Sequence, residues 1–306
     1  MPPNWRMGRD LVLLSLGACL YTIASPPYEW SCAAWFALTP LFLTLKGKSL
    51  PAAFVTGLLY GVLFCVGIAY WVYFAVAAYF SFSPFIALLL TLLSYSLFIG
   101  FYTGAAALVT VLLMRCRSDW LRWCGVPAVW VCSEFARSMF FSGFSWELLG
   151  YTQYRNLTLI QIADLTGVYG ISFLLASSSY LTAEIFWAVR PHARTLTSVF
   201  LVFPRLRQVP WRGIVGFFVS VSVAVSYGMF RLAEPEPLTQ ATPVNIVAVH
   251  RDTGVHRWQR VHYANSLLQY VRDTEASVTD IQPDLVVWPE FAVGFYPERE
   301  LALQRQ

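Results

Sequence analysis

Seven stretches of the chain run almost without a charge: Leu11 to Ala24, Trp30 to Leu45, Ala52 to Phe74, Pro84 to Met114, Trp123 to Phe135, Leu165 to Val189 and Gly213 to Phe230. A helix rises about 1.5 Å per residue and leaves no backbone polar group unpaired in hydrocarbon, so about 20 largely apolar residues cross a bilayer. The pattern therefore predicts an α-helical membrane bundle of about seven transmembrane helices, the first, second and fifth being the shortest. Arg6 and Arg9 before the Leu11 run and small residues after it resemble a signal peptide. Ser25-Pro26-Pro27 is a poor cleavage context and further apolar segments follow, so that run is read as a retained helix.

After Arg231 the pattern changes. Glu234-Pro235-Glu236-Pro237 makes a short, stiff, polar exit from the membrane. Val244 to Val249 then reads as a buried strand, Trp258 to Ser277 as a helix, and Asp284 to Trp288 as a second buried strand. Strand, helix, strand predicts a parallel pair with a right-handed crossover. Residues 1–233 are thus expected to form a transmembrane domain and 234–306 the start of an α/β domain. The latter stretch is too short for a comfortable independent α/β domain, so it reads as an unfinished portion.

Composition confirms the class: 57% of residues are hydrophobic and 12% charged, far from the balance of a soluble domain. The placement of cations adds an orientation, because Lys and Arg in short loops stay on the cytoplasmic side. Arg6 and Arg9 precede the first segment, Lys46 and Lys48 follow the second, and Arg115, Arg117 and Arg122 follow the fourth. Arg190, Arg194, Arg205, Arg207 and Arg212 follow the sixth, whereas only Arg137 and Arg155 lie on the opposite side. Everything after Arg231 is therefore expected outside the cytoplasm.

The cysteines at 19, 32, 65, 116, 124 and 132 all lie in or beside apolar segments without metal-ligand spacing, and read as small membrane residues. His250, His256 and His262, six apart, do not gather on one helix face, which argues against a metal site. The scattered cations carry no nucleic-acid signature.

The most informative segment is Trp288-Pro289-Glu290, which puts a carboxylate at the C-terminal end of a strand, where α/β proteins place ligands and reacting groups. Burial there would raise its pKa, as a general base needs; a turn-capping or solvent-facing Glu290 is the plain alternative.

Pro283-Asp284-Leu285-Val286-Val287-Trp288-Pro289-Glu290 resembles the first catalytic motif of the nitrilase superfamily as it occurs in apolipoprotein N-acyltransferases. A second, distant stretch agrees: Ser142-Gly143-Phe144-Ser145-Trp146-Glu147-Leu148-Leu149-Gly150-Tyr151-Thr152-Gln153, continuing to Phe173, resembles that family's signature loop and the helix after it. Ser25-Pro26-Pro27-Tyr28 and the run from Gly61 through Tyr70-Trp71 are weaker echoes. Ser145 stands where a proline is usual, Glu147 is an unusual acid beside Trp146, and Val249-His250-Arg251-Asp252 departs from the usual turn after the first strand.

The resemblance implies eight bacterial inner-membrane helices with an extracytoplasmic nitrilase-like domain inserted before the last. It implies a two-step reaction without a cofactor. An active-site cysteine takes an acyl chain from a membrane phospholipid as a thioester, then passes it to the α-amino group of the diacylglyceryl-cysteine of an apolipoprotein. Glu290 matches the general base that would deprotonate thiol and amine, and a lysine would stabilise the oxyanion. The only lysines here are Lys46 and Lys48, and no cysteine follows Cys132. On this reading the chain is a C-terminally truncated member, inactive by itself.

Trp258 matches a tryptophan that the family places near its active site; lining a lipid entrance competes with being an ordinary helix-face aromatic. Trp146 and Tyr151 fit an interfacial belt as well as a lipid portal. Arg137 fits a headgroup contact or a simple pair with Glu134. Three functions stay open: the acyltransferase, a membrane-anchored amide hydrolase of the same superfamily, and a non-catalytic lipid- or lipoprotein-binding relative.

Overall fold

The computed structural model describes residues 3–140, 143–189, 209–234, 242–250, 260–278, 282–289 and 292. Two compact units result, Met1–Glu234 and Pro235–Gln306.

The first unit is a multi-pass helical bundle. Among the described residues, five helical spans are long and apolar enough to cross a bilayer: Met7–Ala24, Leu50–Ile68, Pro84–Met114, Val168–Val189 and Trp211–Ala233. The difference from the seven expected spans has local causes. The first span is the apolar part of α1 (Pro3–Ala24). The Trp30 to Leu45 stretch is split into a 3-10 turn, Ser31–Phe36, and α2 (Thr39–Leu45), which has a proline in its first turn. The next stretch forms α3 (Leu50–Ile68) and α4 (Trp71–Phe80), broken at Ala69 and Tyr70, so its last residues belong to a separate short helix. Pro84 then opens a continuous helix, α5 (Pro84–Tyr95) running through a π turn at Ser96–Gly100 into α6 (Phe101–Met114). The fifth stretch lies within α7 (Asp119–Met139), 21 residues long but interrupted by Asp119, Arg122, Glu134 and Arg137. Two single turns, α8 (Leu157–Ile160) and α9 (Ala163–Thr166), precede α10 (Val168–Val189), and α11 (Trp211–Ala233) closes the unit.

Small residues bring the central pair together. A Cβ on Gly57 of α3 would lie 2.3 Å from the Thr103 carbonyl oxygen and 2.5 Å from Ala107 Cβ on α6. One turn on, a Cβ on Gly61 would lie 2.9 Å from Gly100 Cα, in the π turn. Thr103 Oγ1 uses this closeness to donate to the Gly57 carbonyl at 2.8 Å. Gly-xxx-Gly spacing serves this purpose in membranes, where association depends on close van der Waals contact and interhelical hydrogen bonds. Around the pair, Tyr21, Phe42, Tyr60, Phe64, Trp130 and Tyr180 fill a single core. Leu11, Leu59, Phe85, Leu89, Phe218 and Val223 stay exposed, as lipid-facing side chains do.

In the second unit, β1 (Ile246–Ala248) and β2 (Leu285–Val287) pair in parallel, Ile246 opposite Leu285, with α12 (Arg260–Val278) between them in sequence. Tyr270 of α12 is buried with Val249 and Ala292, and Trp288 donates Nε1–H to Thr274 Oγ1 at 2.9 Å. The strands were expected to be buried; both instead show an exposed–intermediate–exposed pattern. With two strands and one helix among the described residues, only one sheet face is covered, and no sheet-rich nitrilase-like domain is present there.

Candidate functional site

Ser118 starts α7 by accepting a hydrogen bond from Leu121 N–H, with Asp119 in the first turn, where a helix favours negative charge. Near the other end of α7, Glu134 and Arg137 stand three residues apart, on neighbouring positions of one face. Both are buried, at 2% and 4% exposure. The sequence left open a simple pair between them, but no ion pair joins them among the described residues.

Each instead holds the loop that follows. Arg137 donates from Nη1 to the Trp146 carbonyl at 2.6 Å and from Nη2 to the Glu147 carbonyl at 3.2 Å. Its own carbonyl accepts from Phe144 N–H at 2.8 Å. Glu134 Oε1 accepts from Trp130 Nε1–H at 3.0 Å and from Leu149 N–H at 2.8 Å. Tyr21 of α1 donates to the Glu147 carbonyl at 2.9 Å, and Gly150 N–H donates to Ser172 Oγ of α10 at 2.9 Å. Gln153, 1% exposed, reaches across to the Ser31 carbonyl at 2.9 Å. Three helices and the 3-10 turn thus strap residues 143–153. Satisfying so many loop groups from buried side chains is what allows irregular backbone at a bundle's end.

The loop has two tight points. Gly143 sits at φ +73°, with any Cβ 2.6 Å from the Ser138 carbonyl oxygen, and Glu147 sits at φ +58°, unusual for a residue with a side chain. The Glu147 carboxylate lies 3.8 Å from Cys65 Sγ on α3. Burial pushes its pKa up to about 7, opposed by the charge of Arg137 and by the Cys65 thiol.

What the straps present is aromatic. Trp146 is half exposed, at 53%, with its ring 5.2 Å from Trp71 at the start of α4 and 5.6 Å from Phe144. Phe144 in turn lies 5.9 Å from Phe98. Tyr151 is 47% exposed, on the 3-10 turn Leu149–Gln153. Trp146, Tyr151 and Arg137 therefore belong to one strapped loop, two of them as its exposed rings and the third as its buried clamp. Tyr21, Trp130, Ser172 and Trp71 complete it, and sequence reading did not assign roles to the first three. Tyr21 and Trp130 have nothing in their spacing to set them apart, and Ser172 lies within the stretch that resembles the signature motif but carries no chemistry of its own to mark it. Glu290 and Trp258 lie outside the described residues, as do His256 and the arginines at 190, 194, 205 and 207.

Comparison with known proteins supplies the context. The profile of the apolipoprotein N-acyltransferase N-terminal domain matches residues 17–181. A protein named apolipoprotein N-acyltransferase in Geobacter metallireducens is 30% identical over 294 residues, covering 95% of this chain and 53% of the relative. One of the same name in Azotobacter vinelandii is 28% identical over 306 residues, covering 97% of this chain and 53% of its own length. Apolipoprotein N-acyltransferase 1 of Treponema denticola is 26% identical, covering 92% and 48%. The chain spans about half the length of these curated relatives.

Proposed function

The chain belongs to the apolipoprotein N-acyltransferase family, and on that premise we propose that its bundle is the lipid-handling part of an enzyme that N-acylates apolipoproteins. A fatty acyl chain would move from a membrane phospholipid, through a cysteine thioester, to the α-amino group of an N-terminal diacylglyceryl-cysteine. The observation that carries this reading is the strapped loop: Trp146 stands half exposed against Trp71 and Phe144 because buried Arg137 and Glu134 fix the backbone beneath it. A rigid aromatic edge at the end of a membrane bundle suits an acyl chain that must leave the bilayer toward a reaction site, since rings present apolar area at low entropic cost.

Trp146 and Tyr151 are assigned to the lipid entrance, Arg137 to holding it, Trp258 to the same passage, and Glu290 to the general base. None of the six cysteines lies beyond Cys132, so the thioester is assigned to none of them. Cys65 is buried in the core beside Glu147. The basic end of the bundle, with Lys46, Lys48, Arg115 and Arg122, is placed in the cytoplasm and the strapped loop on the outer side of the inner membrane.

The test uses the protein purified from its native membrane, with a labelled phospholipid donor and a diacylglyceryl-cysteine peptide acceptor. Amide-linked label on the peptide is expected, falling about tenfold or more in Trp146→Ala. Release of free fatty acid without peptide acylation would point to a hydrolase. Binding of either lipid with no transfer, in protein that carries the whole native sequence, would leave a non-catalytic relative.

A further inference from the structure

At the end of the bundle away from the strapped loop, α7, α10, α11 and the segment after α2 line an open cavity of about 540 Å³. A second, of about 280 Å³, shares its wall of Lys46, Arg122, Glu184 and Trp187. Glu184 is fully used: it accepts from Trp123 Nε1–H at 2.6 Å and Tyr180 OH at 3.0 Å, and pairs with Arg122 at 3.4 Å. Arg122 also pairs with Asp119. The other two cations differ. Lys46 lies 4.3 Å over the Trp187 ring with no carboxylate partner among the described residues, and Arg212, in the first turn of α11, has none there either. Cations nearby do have partners, Lys48 with Asp10 at 2.8 Å and Arg115 with the Lys48 carbonyl at 3.1 Å. Further along α10 and α11, these helices and the 3-10 turn Ser31–Phe36 line an open apolar groove of about 510 Å³, with Trp35, Phe36, Ser178, Leu181, Ile214 and Phe218 in its wall.

We propose that this end binds an anionic glycerophospholipid, its phosphate between Lys46 and Arg212 and an acyl chain in the α10–α11 groove. Two cations without an ion pair among the described residues, Lys46 feeling Glu184 only beyond ion-pair distance, stand beside tryptophans at a bundle end and supply the charge and the interfacial rings that recognise an acidic headgroup. The apolar groove between the same two helices gives the chain a place that a free phosphate would not use. This site is separate from the acyl-donor passage: along α7, Arg122 and Arg137 are fifteen residues apart, roughly 22 Å of helix.

The full chain is placed in phosphatidylcholine nanodiscs doped with phosphatidylglycerol, and the lipids that stay bound on release are identified by native mass spectrometry. Phosphatidylglycerol is expected to be retained in preference. Lys46→Gln and Arg212→Gln should each lower its retention about fivefold. Arg212→Lys, which keeps the charge, should retain it, as should Arg117→Gln, a cation on the same end outside the cavity. Ser178→Trp, which fills the groove that Ser178 lines, should lower lipid retention without changing binding of inorganic phosphate. Equal retention of both lipids, an equal loss in Arg117→Gln, or displacement by inorganic phosphate unaffected by Ser178→Trp would overturn the proposal. The readout needs no acyl transfer, so its failure leaves the acyltransferase reading intact.

Discussion

The two ends of the helical bundle handle charge in opposite ways. At the loop end, Arg137 and Glu134 are almost wholly buried and directed onto backbone groups of residues 146–149, so their charge fixes the shape of a loop. At the basic end, Lys46 and Arg212 border an open cavity without a carboxylate partner among the described residues. A buried charge bonded to loop backbone holds that backbone in place, because removing it strands the groups it served, even though Glu134 Oε2 itself has no hydrogen-bond partner among the described residues; a charge without an ion pair at a surface is available to a ligand. The same helix, α7, reaches both ends, with Arg122, paired to Glu184 and Asp119, near its start and Arg137 in its last turn.

Changing the charges should separate the ends. The largest effect is expected for Arg137→Met, which leaves the Trp146 and Glu147 carbonyls without their donor. A loss of about 3–5 kcal/mol should appear in thermal melting, with new protease cleavage within residues 143–153. A next, pH-dependent effect follows from Glu147. Its folded pKa, about 7, lies above the ordinary carboxylate range, so the folded state holds a proton that the unfolded chain releases at lower pH. Stability should therefore fall as pH rises from 5 to 8, by up to about 3 kcal/mol, while Glu147→Gln should flatten the profile. Tyr21→Phe removes a single hydrogen bond to the Glu147 carbonyl and should cost about 1 kcal/mol. Smallest of all, Lys46→Gln and Arg212→Gln in phosphatidylcholine should shift stability by no more than about 0.5 kcal/mol. A loss there as large as that of Arg137→Met would erase the contrast between the ends.

How much of this was legible beforehand depended on the kind of signal. Apolar runs located the long helices, since length and absence of charge determine what can span a bilayer. They could not show the break at Ala69 and Tyr70, because the run from Gly67 to Phe74 holds neither a charge nor a proline to mark it. The strands β1 and β2 were placed by their β-branched residues and do pair in parallel, but hydrophobicity alone implied a burial that a two-stranded sheet does not provide. At the site, Arg137 stood out as one of only two cations on its side of the pattern, with Arg155, and Trp146 through its motif. What the sequence hid was direction: nothing in Glu134-x-x-Arg137 says that the pair grips a loop rather than itself, and Tyr21 is one aromatic among many.

The central claim is that Arg137 and Glu134 hold the Trp146 loop where a phospholipid acyl chain meets it. A phospholipid with a photoreactive group on its acyl chain, activated in vesicles and mapped by peptide mass spectrometry, tests this directly. The account predicts labelling concentrated on Trp71, Phe144 and Trp146 and lost in Arg137→Met, with labelling of the exposed face of α11 unchanged. Labelling spread evenly over the lipid-facing helices, or a loop signal indifferent to Arg137→Met, would contradict it.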